Sequence, residues 1–158
     1  MRFDFSRVEK QSKPHSFDLG DITIISSDSI ISSRKEENHR MMIYVAISDM
    51  IDALEKALKT NKPRKFSGTD SSFVLEIKPQ NGKLLFEHKK IKIIEPTQVA
   101  LNSIRKGIEK FFRDNNALTE KDTCHSDIVF SVKTLESLIA EIESSKKIIK
   151  KRNNANSI

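Results

Sequence analysis

Residues 73–88 read FVLEIKPQNGKLLFEH, and this stretch decides the fold class. Every second residue from Phe73 to Ile77 is apolar, which is typical of a strand with one buried face. Asn81-Gly82 follows and is a strong signal for a two-residue turn, because both residues tolerate positive φ. The stretch therefore predicts an antiparallel hairpin in which KLLFEH is the returning strand.

Further strands and helices are predicted on both sides of this hairpin. Apolar residues at i, i+3 and i+4 spacing predict three helices, over residues 49–60, 97–113 and 134–147. Asp49 and Thr134 are expected at the N-terminal caps of two of them. β-prone runs predict strands at 2–5, 21–33 (one bent strand or two short ones), 41–47, 64–68, 91–94 and 127–132. This order predicts an α+β fold, with about three amphipathic helices packed on one face of a mainly antiparallel sheet.

Length and composition predict one domain spanning residues 1–158, in which 1–16 and 147–158 are peripheral or flexible. No apolar run approaches the roughly 18 residues of a membrane-spanning helix. The N-terminal stretch MRFDFSRVEKQ also lacks the apolar core of a secretory signal. The single cysteine, Cys124, excludes an intramolecular disulfide and favours a reducing compartment. We therefore expect a cytoplasmic protein that has no membrane partner.

The net charge of +6 is unevenly distributed. Residues 146–152, KKIIKKR, hold five cations and no anion, so the rest of the chain is close to neutral. Cations at the end of a helix complement the helix dipole and keep a tail solvated. The same tail could instead contact phosphates or an acidic partner, and the sequence leaves both interpretations open.

No catalytic or metal-binding signature is present in the sequence. The four histidines are scattered, Cys124-His125 is the only close pair of metal-ligand types, and it falls in a predicted loop over 114–126. Each of the four glycines is isolated, which argues against a phosphate-binding loop. Phe130 is expected in the core, and Phe66 is the one plausible base-stacking residue. We therefore expect neither enzyme activity nor a cofactor, although an active site assembled from dispersed residues stays open.

Residues 45–58, VAISDMIDALEKAL, followed by 66–88, FSGTDSSFVLEIKPQNGKLLFEH, resemble small bacterial immunity proteins of polymorphic-toxin and contact-dependent growth inhibition systems. The likeness is one of general pattern over roughly residues 40–145. It implies a cytosolic protein without activity of its own that blocks a cognate toxin domain, often a nuclease. Partners of basic nucleases are usually acidic, whereas this chain is basic.

Five acidic residues near predicted turns form the largest acidic concentration in the sequence and are the candidate contacts for a toxin domain. They are Asp18, Asp21, Asp28, Glu36 and Glu37. The alternative function is a nucleic-acid-binding or regulatory protein that uses the basic C-terminal tail.

Overall fold

The structure is a computed structural model that describes the backbone of residues 1–155. Side chains are described throughout this range except at 115, 146 and 148–155. The expectation that residues 147–158 are peripheral or flexible falls largely on side chains from 148 onward and on residues 156–158, which lie outside the described residues.

Eight strands form two antiparallel sheets of four strands each. The N-terminal sheet has the order β1-β2-β3, and β4 also pairs with β2; its strands are β1 Arg2–Arg7, β2 Leu19–Ile25, β3 Ile30–Ser32 and β4 Met41–Met42. The central sheet follows chain order and consists of β5 Arg64–Ser67, β6 Val74–Gln80, β7 Lys83–His88 and β8 Ile91–Pro96. Residues 21–33 are thus divided between two short strands, one of the two forms predicted.

Two helices pack against these sheets, α1 Ile43–Thr60 and α2 Thr97–Phe111, and a third, α3 His125–Ala155, packs mainly on α1 and α2. α1 contacts α3 and the central sheet, while α2 contacts β1 and α3. The fold is therefore α+β, as the sequence predicts, but with two antiparallel sheets. Within residues 1–155, no helix combines the length and the apolar character needed to cross a membrane.

The predicted hairpin is confirmed at its turn. β6 and β7 are paired from Glu76–Glu87 to Gln80–Lys83. Asn81 and Gly82 have φ values of 47° and 78°, as a two-residue turn of this type requires.

Two predicted strands are wrong, because most of residues 41–47 and all of 127–132 are helical. In α1 the buried positions include Ile43, Ile47, Met50 and Leu54, which recur at helical spacing. α3 repeats this arrangement around Ile128. The β-branched residues favour a strand locally, but burial of one continuous helical stripe outweighs this weak preference. Consequently Asp49 and Thr134 lie inside helices and do not cap them.

The N-terminal strand is part of the core, in contrast to the peripheral position expected for residues 1–16. Phe3 is fully buried, and its ring lies 5.5 Å from that of Phe86, which joins the cores of the two sheets. α2 covers the strand so closely that a Cβ on Gly107 would lie 2.5 Å from the Phe3 carbonyl oxygen. This close approach explains a glycine in the middle of a helix.

Candidate functional site

Two of the five candidate acidic residues, Asp18 and Asp21, are engaged within the protein. The Arg7 guanidinium donates a 2.6 Å hydrogen bond from Nη1 to Asp18 Oδ2. Asp21 is buried, and its Oδ1 accepts a 2.9 Å hydrogen bond from the Ser33 hydroxyl. Contacts of this kind hold a fold together and leave little carboxylate surface for a partner.

The other three acidic residues lie in different local settings. Asp28 is exposed in the turn between β2 and β3. Glu36 forms an ion pair with Lys89 and lies 3.3 Å from His39 Nε2. The hydrogen bond from Lys89 holds the pKa of Glu36 below its usual range. Glu37 is exposed in the short 3₁₀ turn that follows. Asp28, Glu36 and Glu37 are thus the three exposed residues of the five, and of these Glu36 is engaged in an ion pair.

A different acidic surface lies between the first halves of α1 and α3. A cavity of about 270 Å³ opens there between the two helices. Four carboxylates line it, and the lining contains no lysine or arginine; the four are Asp49, Asp52, Glu55 and Asp127. We call this surface the acidic groove. In a chain of net charge +6, it is a concentration of negative charge made by residues far apart in sequence.

The carboxylates of the acidic groove are only partly neutralised. Asp52 and Glu55 each bind a lysine one turn further along α1, with N–O distances of 2.7 and 2.6 Å. Within the described part of the chain, Asp49 and Asp127 form no ion pair. Partial burial raises the pKa of Asp49; the charge of Asp52 adds to this rise, and a hydrogen bond from Thr69 opposes it. An incoming cation would offset the desolvation cost of the ionised Asp49 carboxylate.

One exposed phenylalanine lines the acidic groove, and a second, Phe17, belongs to a segment that contacts the starts of both helices. Phe130 lines the groove, and 70% of its surface is exposed. Phe17 is 50% exposed and lies between Ser16 and Asp18, which hydrogen-bond to residues at the starts of α3 and α1. The Ser16 hydroxyl accepts a 3.0 Å hydrogen bond from Cys124 N, and Asp18 O accepts one of 3.0 Å from Ile43 N. The backbone at Phe17 is therefore held near the starts of both helices, although Phe17 itself is not among the residues that line the groove.

The floor of the acidic groove contains the Ser48 hydroxyl. This oxygen is buried and has no hydrogen-bond partner among the described residues. Buried polar atoms are nearly always paired, so this hydroxyl is an exception among the described residues. Cys124 also lines the groove. It lies in the turn directly before α3, within the predicted loop, but it is buried, with 8% of its surface exposed.

Sequence reasoning missed the acidic groove because it assigned residues 127–132 to a strand. In a strand Phe130 would share the core face with Ile128, whereas in α3 the two point in different directions. The spacing of Asp49, Asp52 and Glu55 on one side of a helix was the available signal. Phe66, the expected stacking residue, is only 1% exposed and belongs to the core.

The described residues contain no cluster of three or more His, Cys, Asp or Glu side chains placed to hold a metal ion. Comparison with known proteins found no family model, no curated protein and no solved structure that matches this chain.

Proposed function

We propose that this protein is a non-catalytic protein-binding module, an immunity protein that neutralises a cognate toxin domain in the cytoplasm. It acts by covering the active site or the substrate path of the toxin, which we expect to be a nuclease. The observation that carries the proposal is the acidic groove with Phe130 beside it, 70% exposed. An exposed aromatic side chain beside unneutralised charge is the arrangement that protein interfaces use as an anchor.

The acidic groove fits a basic protein partner for two reasons. Asp49 and Asp127 have no cation partner among the described residues, so a lysine or arginine of the toxin would neutralise their charges. Phe130 would be withdrawn from water on docking, and burying an aromatic side chain supplies much of the energy of a hot spot. Useful inhibition needs roughly nanomolar affinity, about −12 kcal/mol, which an interface of ~1,600 Å² can supply.

The partner is sought first in the neighbouring gene. The C-terminal domain of a large secreted toxin encoded beside this chain is co-expressed with it, and growth rescue and co-purification are scored. The proposal requires both outcomes. It is abandoned if the purified protein turns over a substrate by itself, or if no protein partner is retained.

We predict that Phe130→Ala weakens toxin binding by about 30-fold, or roughly 2 kcal/mol, mainly through faster dissociation. The free energy of unfolding should change little, because the side chain is exposed. Ile94→Ala is the matched control, since Ile94 is 50% exposed on β8, away from α1 and α3. Surface plasmon resonance measures both rates. Equal binding by the two variants would place the anchor elsewhere.

A second prediction compares the acidic groove with the acids singled out from the sequence. Asp127→Lys should slow association by about 10-fold at low salt, because it reverses the charge that attracts a basic partner. Asp28→Lys makes the same charge change in the β2–β3 turn and should alter the association rate much less. The rates are compared at two ionic strengths. If Asp28→Lys has the larger effect, the toxin binds the surface predicted from the sequence.

A further inference from the structure

A long basic surface runs along the edge of β1 that does not pair with β2. On this side α2 packs against the strand. One depression of about 730 Å³ lies between β1 and α2, and a second of about 410 Å³ adjoins it beyond Asp4. We call the two together the basic groove. Six exposed cations and three carboxylates line it; the cations are Arg2, Lys10, Arg34, Lys106, Lys110 and Arg113.

Internal ion pairs neutralise only part of the positive charge in the basic groove. Arg2 binds Asp4 at 2.9 Å, Lys110 binds Asp114 at 3.0 Å, and Arg34 lies 3.8 Å from Asp21. Lys10, Lys106 and Arg113 have no carboxylate partner in the described part of the chain. Lys106 and Lys110 lie one turn apart on α2, about 6 Å along the helix axis, and Arg113 lies in the π-helical turn Phe112–Asn116 that follows α2. All three line the groove, so the positive charge continues past the end of the helix.

We propose that the basic groove binds the phosphate backbone of double-stranded nucleic acid without reading its base sequence. Phosphate and sugar contacts come mainly from Lys, Arg, Ser, Asn and Gln side chains. The groove offers its cations together with the Asn102 amide, which donates one of its two N–H groups to Gln98 O. Its aromatic lining residues, Phe3 and Phe5, are buried, so they provide no platform on which unpaired bases could stack.

The lining of the basic groove favours a nucleic acid over an acidic protein. Protein interfaces depend on a few large apolar anchors, and the large apolar side chain exposed in this groove is Val99, at 43%. The acidic groove, in contrast, presents Phe130. The two surfaces are therefore suited to different partners, and this site does not depend on the proposed toxin-binding function.

The test measures binding to a 20-base-pair DNA duplex and to an RNA duplex of the same length by fluorescence anisotropy between 50 and 200 mM salt. The double variant Lys106→Ala/Arg113→Ala is compared with two matched controls. Lys62→Ala/Lys65→Ala removes two exposed cations near β5, and Lys150→Ala/Lys151→Ala removes two from the basic tail. Thermal melting of each variant verifies that it is folded.

For wild type we expect a dissociation constant in the micromolar range at low salt, for at least one of the duplexes. Each lost phosphate contact lowers the slope of log K against log salt by about 0.9. The groove variant should therefore lose about 2 units of slope and at least 10-fold in affinity. The β5 control should lose less than half as much in both the slope and the logarithm of the affinity.

Three results would overturn the inference. In the first, the groove variant binds like the β5 control while the tail variant alone abolishes binding. In the second, a single strand of equal length binds more tightly than either duplex. In the third, poly-glutamate of equal charge competes as well as the duplex, which would indicate an acidic protein as the ligand.

Discussion

Gly20→Ala is expected to destabilise the protein by about 3 kcal/mol or more, which lowers the melting temperature by roughly 6–12 °C. Gly20 lies on β2, where it pairs with Arg7 of β1 and Met41 of β4. A Cβ at this position would lie 2.1 Å from the Ser6 carbonyl oxygen and 2.8 Å from Ile43 Cβ. The first of these atoms belongs to a paired backbone and cannot move without separating β1 from β2.

The control for this substitution is Gly82→Ala. Nothing lies within 4 Å of a Cβ at Gly82, but its φ of 78° disfavours alanine, so we expect a cost of roughly 1–2 kcal/mol. Urea unfolding followed by circular dichroism gives both values. If Gly20→Ala unfolded at the same urea concentration as wild type, the result would contradict the close packing of β1, β2 and the start of α1 around Gly20.

The hairpin through Asn81-Gly82 could be predicted from the sequence because its signal is local. Two residues that tolerate positive φ, placed between alternating apolar runs, determine both the turn and the register. The helix over 97–111 was also predictable, since its apolar stripe has one consistent period. Such elements need no information about distant parts of the chain.

The starts of α1 and α3 could not be predicted in the same way. Residues 43–47 and 127–132 contain β-branched and aromatic residues, whose strand preference is weak and depends on context. They are helical because α1 and α3 bury their apolar stripes against each other, while α1 also packs on the central sheet and α3 on α2. The acidic groove exists only where these two helix starts meet, so it could not be recognised before the helices were placed.

Arg7→Ala is expected to cost about 3–5 kcal/mol in the free energy of unfolding, as the loss of one partner from a buried ion pair typically does. Arg7 is 3% exposed. Its guanidinium donates hydrogen bonds of 2.6 Å to Asp18 Oδ2, 2.8 Å to Asn116 Oδ1 and 2.8 Å to Ser12 O. Alanine would remove the donor from all three acceptors and the cation from Asp18, whose Oδ2 would keep only the 2.9 Å hydrogen bond from His15 N.

Arg7→Lys separates charge from geometry in the same network. Lysine keeps the positive charge, but a single ammonium group cannot reproduce the planar fork that meets three separate acceptors. We therefore expect an intermediate loss, which chemical denaturation of the two variants would measure. A cost equal to that of alanine would mean that geometry dominates, and no cost for either variant would contradict the network.

Asp18→Asn then decides the role of an acidic residue that the sequence suggested as a partner contact. Asparagine keeps an oxygen acceptor for Arg7 but removes the charge, so stability should fall by about 1–3 kcal/mol. If Asp18 holds the segment that carries Phe17, amide hydrogen exchange should accelerate over residues 8–18. Association with the proposed toxin partner should then slow only as far as this segment is loosened. A direct contact would give the reverse: slower association at low salt with unchanged stability and exchange. Because Arg7 already neutralises this carboxylate within the fold, we expect the first result.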